Sequence, residues 1–338
     1  MSAIEKSVTV DDFMEEWTND SPYVHVKTSG STGEPKAILV EKRRMLASAK
    51  ITCDFLGLRE GDTALLCMPL EYIAGKMMVV RSIERRMKLI SVVPSGHPLS
   101  SMQLPLCPSV DFAAMVPLQV YNSLQVPEER DRLMRIKHLI IGGGAIDDAM
   151  AAELKSFPNA VWSTYGMTET LSHIALRRLS GKDASDWYSP FESVNISLTD
   201  EGCLVIEAPE VCEGRLVTND IAEIREAALT GSSPCVNFRI LGRKDNTICS
   251  GGIKIQAEEV ERILKPYLDE PYLITRRKDP KFGEIVVLLT EGSVDKAREA
   301  CERVLPKLHH PRDYVRVDKI PLTATGKPAR KEAEKLAL

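Results

Sequence analysis

The sequence predicts an α/β chain: a large N-terminal domain of βαβ layers over residues 1–243, with a small β subdomain at about 193–241, and a smaller α+β C-terminal lobe over 244–338. Three observations predict it. Between residues 37 and 164, short apolar runs of strand length alternate with segments whose apolar residues recur at helical spacing, as parallel βαβ units do. From residue 194 the helical periods stop and short β-rich runs follow one another. After Arg243 helices and strands start afresh, enough for a lobe of its own.

Taken in order, Tyr23 to Lys27 alternates apolar and polar like a half-buried strand, and Ala37-Ile38-Leu39-Val40 reads as a second strand. A helix is expected at 41–56, a strand at 63–68 that Pro69 stops, a helix at 73–86, a strand at 88–93 and a Pro/Ser-rich loop at 94–109. Strands at 110–116, 136–141 and 160–164 then alternate with helices at 117–125 and 146–157. The β subdomain has strands at 194–198, 203–207, 214–218, 222–225 and 236–241. The last lobe has helices at 256–265 and 294–305 and strands near 272–275, 285–289 and 314–317. In such folds ligands gather at the carboxyl ends of strands, where Gly142-Gly143-Gly144 and Tyr165-Gly166 fall.

With 338 residues, 43% of them hydrophobic, the chain can build more than one core. A net charge of -4, with bases scattered among acids, leaves no footprint for nucleic acid. Residues 1–20 are polar and acidic, and no segment approaches the roughly eighteen apolar residues of a membrane span, so a cytoplasmic protein is expected. The 8 cysteines lie singly, which indicates neither a zinc site nor a disulfide framework.

One stretch carries chemistry on its face: Thr28-Ser29-Gly30-Ser31-Thr32-Gly33-Glu34-Pro35-Lys36. Glycines let backbone N–H groups crowd round an anion, hydroxyls add donors and a lysine adds charge, a composition suited to polyphosphate such as that of ATP. The spacing is not that of the strand-to-helix phosphate loop, because Pro35 precedes the lysine and Ala37 follows it; here the loop joins two strands. Alone, such a loop could also be a solvated hairpin without a ligand, the lesser of the two readings.

Four further motifs follow it: Tyr165-Gly166-Met167-Thr168-Glu169-Thr170, Thr218-Asn219-Asp220, Leu241-Gly242-Arg243-Lys244-Asp245 with Gly251-Gly252, and Pro321-Leu322-Thr323-Ala324-Thr325-Gly326-Lys327. In this order the five resemble the adenylate-forming superfamily of acyl-CoA synthetases, luciferases and peptide-synthetase adenylation domains. The resemblance implies a two-step reaction: a carboxylic acid attacks the α-phosphate of ATP, and a thiol then displaces AMP. Implied co-substrates are ATP and CoA, with Mg2+ as the metal.

By the same resemblance, the loop from Thr28 to Lys36 holds the β- and γ-phosphates, Thr168 donates to the α-phosphate and Glu169 carries Mg2+. Asp220 accepts from the ribose hydroxyls, and Asn219, where the family mostly has glycine, would keep a turn. Arg243 reaches the ribose or phosphate, its alternative being a salt bridge with Asp245. Lys327 bridges the incoming carboxylate and the α-phosphate. Asp245 aligns with the hinge, and Ser250, Gly251 and Gly252 approach the acyl-adenylate in the second step, or else form a simple turn.

The segment from Met68 to Ser82, together with Thr168 to Ile174, is most similar to o-succinylbenzoate:CoA ligases. That implies a pocket built by Tyr72, Gly75, Arg81 and Ser172, with His173 beside it either as a lining or as a core residue. Arg81, in an otherwise apolar helix, could meet a second carboxylate, or could lie at the helix rim with a surface partner. Family members usually carry a long region before the phosphate loop, whereas residues 1–27 precede it here. A reduced first subdomain and an exposed sheet edge are therefore expected, which favours a homodimer.

Overall fold

The computed structural model describes residues 8–27, 37–100, 110–144, 146–226, 236–322 and 328–338. The chain divides into two units, Met1–Ile196 with Ile206–Leu216 and Arg225–Phe238, and Ser197–Val205 with Val217–Ile224 and Arg239–Leu338.

The first unit opens with α1 (Val10–Thr18), capped by Thr9, whose hydroxyl accepts from the Asp12 N–H at 3.1 Å while Asp12 answers to the Thr9 N–H. Strands β1 (Tyr23–Lys27) and β2 (Ala37–Glu41) pair antiparallel, Lys27 opposite Ala37, so the expected strand-to-strand connection holds at its two roots. Then come α2 (Lys42–Leu56), β3 (Thr63–Leu66), α3 (Ile73–Arg85), β4 (Lys88–Ser91), β5 (Phe112–Met115), α4 (Pro117–Gln125), α5 (Pro127–Arg135), β6 (His138–Ile141), α6 (Asp148–Leu154), β7 (Ala160–Gly166), β8 (His173–Arg178) and β9 (Ser189–Pro190). The sheet runs β4-β3-β5-β6-β7-β8-β9. It is parallel from β4 to β7, as the alternation predicts, and antiparallel at β8 and β9. Burial on both faces explains the continuous apolar runs Phe112-Ala113-Ala114-Met115 and Leu139-Ile140-Ile141.

Strands β10 (Asn195–Leu198), β11 (Cys203–Glu207), β12 (Arg215–Glu226) and β13 (Val236–Arg243) form a four-stranded sheet in that order. The two strands expected at 214–218 and 222–225 are one, β12, and Asn219 has no left-handed backbone. The turn expected there does not exist; Asn219 is an ordinary strand residue, for which side chains other than glycine need no exemption.

The second unit continues with β14 (Thr247–Ser250), β15 (Ile253–Gln256), α7 (Ala257–Leu264), β16 (Tyr272–Asp279), β17 (Gly283–Thr290), α8 (Val294–Val304), β18 (Asp313–Arg316) and α9 (Arg330–Leu336). Its sheet runs β15-β14-β17-β16, with β18 parallel to β17. One face packs α7 and α8 through Val260, Leu264, Ala297 and Cys301, and the other carries Ile320, Ala333 and Ala337. No helix among the described residues is long and apolar enough to cross a membrane.

Candidate active site

The carboxyl end of the parallel sheet is where the glycine motifs fall. Strand β6 runs into Gly142, whose N–H donates to the Met115 carbonyl at 3.1 Å, and a Cβ there would meet Thr164 Oγ1 at 2.4 Å. Gly143 has φ +78°, a conformation that favours glycine. Gly144 sits against Pro117, 3.3 Å from where its Cβ would be. On the next strand, the Tyr165 ring packs edge-on to Phe238 at 5.1 Å. At Gly166 a Cβ would lie 2.3 Å from the Ser172 carbonyl oxygen, so this glycine exists to let the returning chain approach β7.

The chain turns back through Thr168–Thr170, a single 3-10 turn. Thr170 is fully buried and its hydroxyl accepts from the Met167 N–H at 3.0 Å, while Thr168 is half-buried and Glu169 exposed. A γ-turn follows: the Ser172 N–H donates to the Thr170 carbonyl at 2.7 Å round Leu171, which is held at φ +63°. Strained backbone of this kind persists where its surroundings over-determine it. Here it fixes where Ser172 and His173 stand.

Helix α3 brings the second half of the site. Its start is tied to β1, the Lys27 N–H donating to the Glu71 carbonyl at 3.0 Å, which sets exposed Tyr72 beside the root of the predicted phosphate loop. Gly75 packs so tightly that a Cβ would lie 2.3 Å from the Pro69 carbonyl oxygen. Two cations further along the helix are buried. Lys76 is paired, 3.2 Å from Glu16 and 4.7 Å above the Phe13 ring, so α1 supplies both its counter-charge and its cover.

Arg81 differs. It is 2% exposed, its Nη2 donates to Ser172 Oγ at 2.8 Å, its Nε has no partner, and it makes no ion pair with any described residue. Burial pushes its guanidinium down to about 10, still charged at neutral pH. The rim position with a surface partner is therefore wrong: α3 is buried along the whole stretch from Gly75 to Ser82. Beside Arg81, His173 is held well below the usual imidazole range, first by burial and then by the Arg81 charge. It is a core residue, 3.1 Å from Thr52 Oγ1 through Nε2 and 3.2 Å from Ser172 Oγ through Nδ1.

In the second unit, Arg243 Nη1 donates to Asp220 Oδ1 at 3.1 Å, and Nη2 lies 3.7 Å from Asp245. The two predicted nucleotide residues are thus brought together, and the Asp245 contact is present as well but longer. Asp245 lies in the 3-10 turn Lys244–Asn246. Gly251 and Gly252, at φ +58° and +85°, are the two central residues of the tight turn joining β14 and β15, the geometry of a two-residue hairpin. Glu258, to which no role is assigned above, accepts from the side chains of Asn246 and Gln256 and from the Arg243 N–H. Arg330 grips Glu261 through both terminal nitrogens, at 3.0 and 2.8 Å. Thr28, Ser29, Gly30, Ser31, Thr32, Gly33, Lys36 and Lys327 lie outside the described residues.

The family model described as AMP-binding enzyme matches residues 3–216. The chain is 25% identical over 348 residues to 2-succinylbenzoate--CoA ligase of Bacillus mycoides, covering 95% of this chain and 72% of that protein. Among solved structures, the acyl-CoA synthetase (AMP-forming)/AMP-acid ligase II-like protein of Dyadobacter fermentans matches with a TM-score of 0.65 at 30% identity, over 96% of this chain and 93% of the other. The o-succinylbenzoate CoA synthetase of Bacillus subtilis, in complex with the acyl-adenylate intermediate OSB-AMP, shares the fold with a TM-score of 0.69 at 22% identity, over 92% and 68% of the two chains. The chain belongs to the AMP-binding enzyme family.

Proposed function

We propose that the protein is an AMP-forming acid:CoA ligase whose substrate is o-succinylbenzoate, the reaction for which its Bacillus relatives are named and a step of menaquinone biosynthesis. The observation that carries the choice of acid is Arg81. A guanidinium taken out of water without a counter-charge costs several kcal/mol, so a buried arginine without a carboxylate partner is a place prepared for an anion. o-Succinylbenzoate has two carboxylates. One reacts, and the other meets Arg81 and Ser172.

In the first step a carboxylate oxygen bonds to the α-phosphorus, the bond from that phosphorus to the bridging oxygen breaks, and pyrophosphate leaves. In the second the CoA sulfur bonds to the acyl carbon, its proton departs, and AMP leaves with the electron pair of the C–O bond. Thr28, Ser29, Gly30, Ser31, Thr32, Gly33 and Lys36 would hold the β- and γ-phosphates, and Lys327 would offset repulsion between the carboxylate and the α-phosphate. Gly142, Gly143, Gly144, Tyr165 and Gly166 would border the nucleotide, with Thr168 donating to its α-phosphate. Asp220 would accept from the ribose hydroxyls, with Arg243 alongside. Glu169 would hold Mg2+, a hard cation that prefers oxygen ligands and substrate phosphates. Bound there, magnesium neutralises phosphate charge. The lobe of residues 244–338 would turn about Asp245 between the steps, presenting Gly251 and Gly252 to the thioester-forming site.

The test is to incubate the protein with ATP, Mg2+, CoA and a panel of acids and to identify CoA thioesters by mass. The expected product is o-succinylbenzoyl-CoA. A strong product with benzoate or a fatty acid, and none with o-succinylbenzoate, would replace this acid by another aryl or short acyl acid.

A further inference from the structure

We infer that His173, pinned by Thr52, is the positioning residue that orients Ser172 against Arg81 and thereby confers preference for an acid with a second carboxylate. The inference rests on the reading of Arg81 given above and extends it to two residues that touch neither the acid nor the nucleotide.

One buried chain of hydrogen bonds assigns each proton its place. Thr52, on α2 and fully buried, donates its only hydroxyl proton to the Ser48 carbonyl at 3.0 Å. His173 Nε2, 3.1 Å from that same oxygen, must therefore be the donor there. A neutral imidazole with its proton on Nε2 has a bare Nδ1, which accepts from the Ser172 hydroxyl 3.2 Å away. With its proton spent on His173, Ser172 offers a lone pair to Arg81 Nη2 at 2.8 Å. Every proton has one place, and the order of donors cannot be reversed without breaking the Thr52 bond to the helix.

The consequence is a guanidinium held at one corner, with Nε still unpartnered. Lose the acceptor at Nδ1 and the Ser172 hydroxyl is free to turn, so Arg81 is no longer held for the anion. A charged His173 would act likewise, because a proton on Nδ1 would compete with Arg81 for the serine oxygen.

The experiment is pyrophosphate exchange, which reads acid activation without CoA, on wild type and the variants His173→Leu, His173→Asn and Thr52→Val. The acids are o-succinylbenzoate and 4-oxo-4-phenylbutanoate, which lacks the ring carboxylate. Expected for His173→Leu is a KM for the dicarboxylate raised about tenfold, with kcat within twofold and the KM for the monoacid unchanged. Thr52→Val moves the same KM less. His173→Asn, whose amide oxygen can stand where Nδ1 stands, recovers most of the loss. An equal KM rise for both acids in His173→Leu, or no recovery in His173→Asn, overturns the relay. Wild type without preference for the dicarboxylate would instead overturn the Arg81 reading. Preference abolished by Arg81→Met yet intact in His173→Leu overturns the relay alone.

Discussion

Replacing Arg81 by methionine exchanges a buried cation for an apolar chain of similar length. Burial holds the folded guanidinium down to about 10, well below its value in the open chain, so keeping it charged at neutral pH costs the fold about 3 kcal/mol. The sign follows from a base whose folded value is depressed: the cost is present at every pH below about 10 and fades as pH rises from there toward the open-chain value. Against it stands one hydrogen bond from a charged donor to Ser172, which contributes about 1.5–3 kcal/mol. The variant should therefore be as stable as wild type or about 1 kcal/mol more stable, with Tm unchanged or raised by about 2–4 °C. Function should move the other way. Loss of a charge-assisted bond to the second carboxylate raises the KM for o-succinylbenzoate by about 10- to 100-fold, at about 1.4 kcal/mol per decade, and leaves the KM for 4-oxo-4-phenylbutanoate alone. Thermal melting and pyrophosphate exchange measure the two halves. A Tm lowered by several degrees, or both KM values rising in parallel, would mean that Arg81 serves the fold and not the acid.

Three further perturbations have defined outcomes. Arg330→Met strips the counter-charge from Glu261, whose carboxyl burial already raises; urea unfolding should show a loss of about 3 kcal/mol at pH 7, much of it regained in Glu261→Gln/Arg330→Met. That loss should shrink toward pH 5, because a carboxylate with a raised folded value takes up its proton in the folded state as pH falls. His173 has the opposite linkage: burial and the Arg81 charge hold the folded imidazole well below the usual range, whereas the unfolded chain gains its proton near 6.5, so wild type loses stability between pH 7 and 5 that His173→Asn keeps. Paired urea titrations at the two pH values read the difference. In Gly166→Ala the new Cβ meets the Ser172 carbonyl at 2.3 Å, so stability should fall by about 1–3 kcal/mol and the dicarboxylate KM should rise with it; an unchanged KM ratio between the two acids would show that Ser172 had not moved.

The parallel sheet was legible because its strands are buried on both faces and its helices keep one apolar stripe, so the change of period marks each boundary. What escaped was structure whose signal is not periodicity. Helix α5 is mostly charged, and only Pro127, the acids after it and Arg132 and Arg135 near its end announce it. Helix α1 had its announcement in Thr9 and Asp12. Strand β8 is buried from His173 to Leu176 and shows no alternation, and β12 continues through Asn219-Asp220, a pair that elsewhere signals a turn.

In the site, residue types and motif order pointed to Arg81 and Ser172, which lie 91 positions apart and meet at 2.8 Å. The role of His173 could not be read that way, since its partner Thr52 is 121 positions distant and is an unremarkable helix residue in sequence. Only the fold, with Gly166 and the turn at Leu171 bringing β8 back against β7, sets the imidazole between them.

The central claim is that a carboxylic acid becomes a mixed anhydride with AMP before any thiol arrives. It is tested most directly by mixing the protein with ATP, Mg2+ and o-succinylbenzoate without CoA, quenching, and weighing the products. The expected products are o-succinylbenzoyl-AMP and pyrophosphate, and on addition of CoA the loss of that adenylate with equal amounts of AMP and thioester appearing. ADP and inorganic phosphate in their place, or no adenylate at any acid concentration, would contradict it.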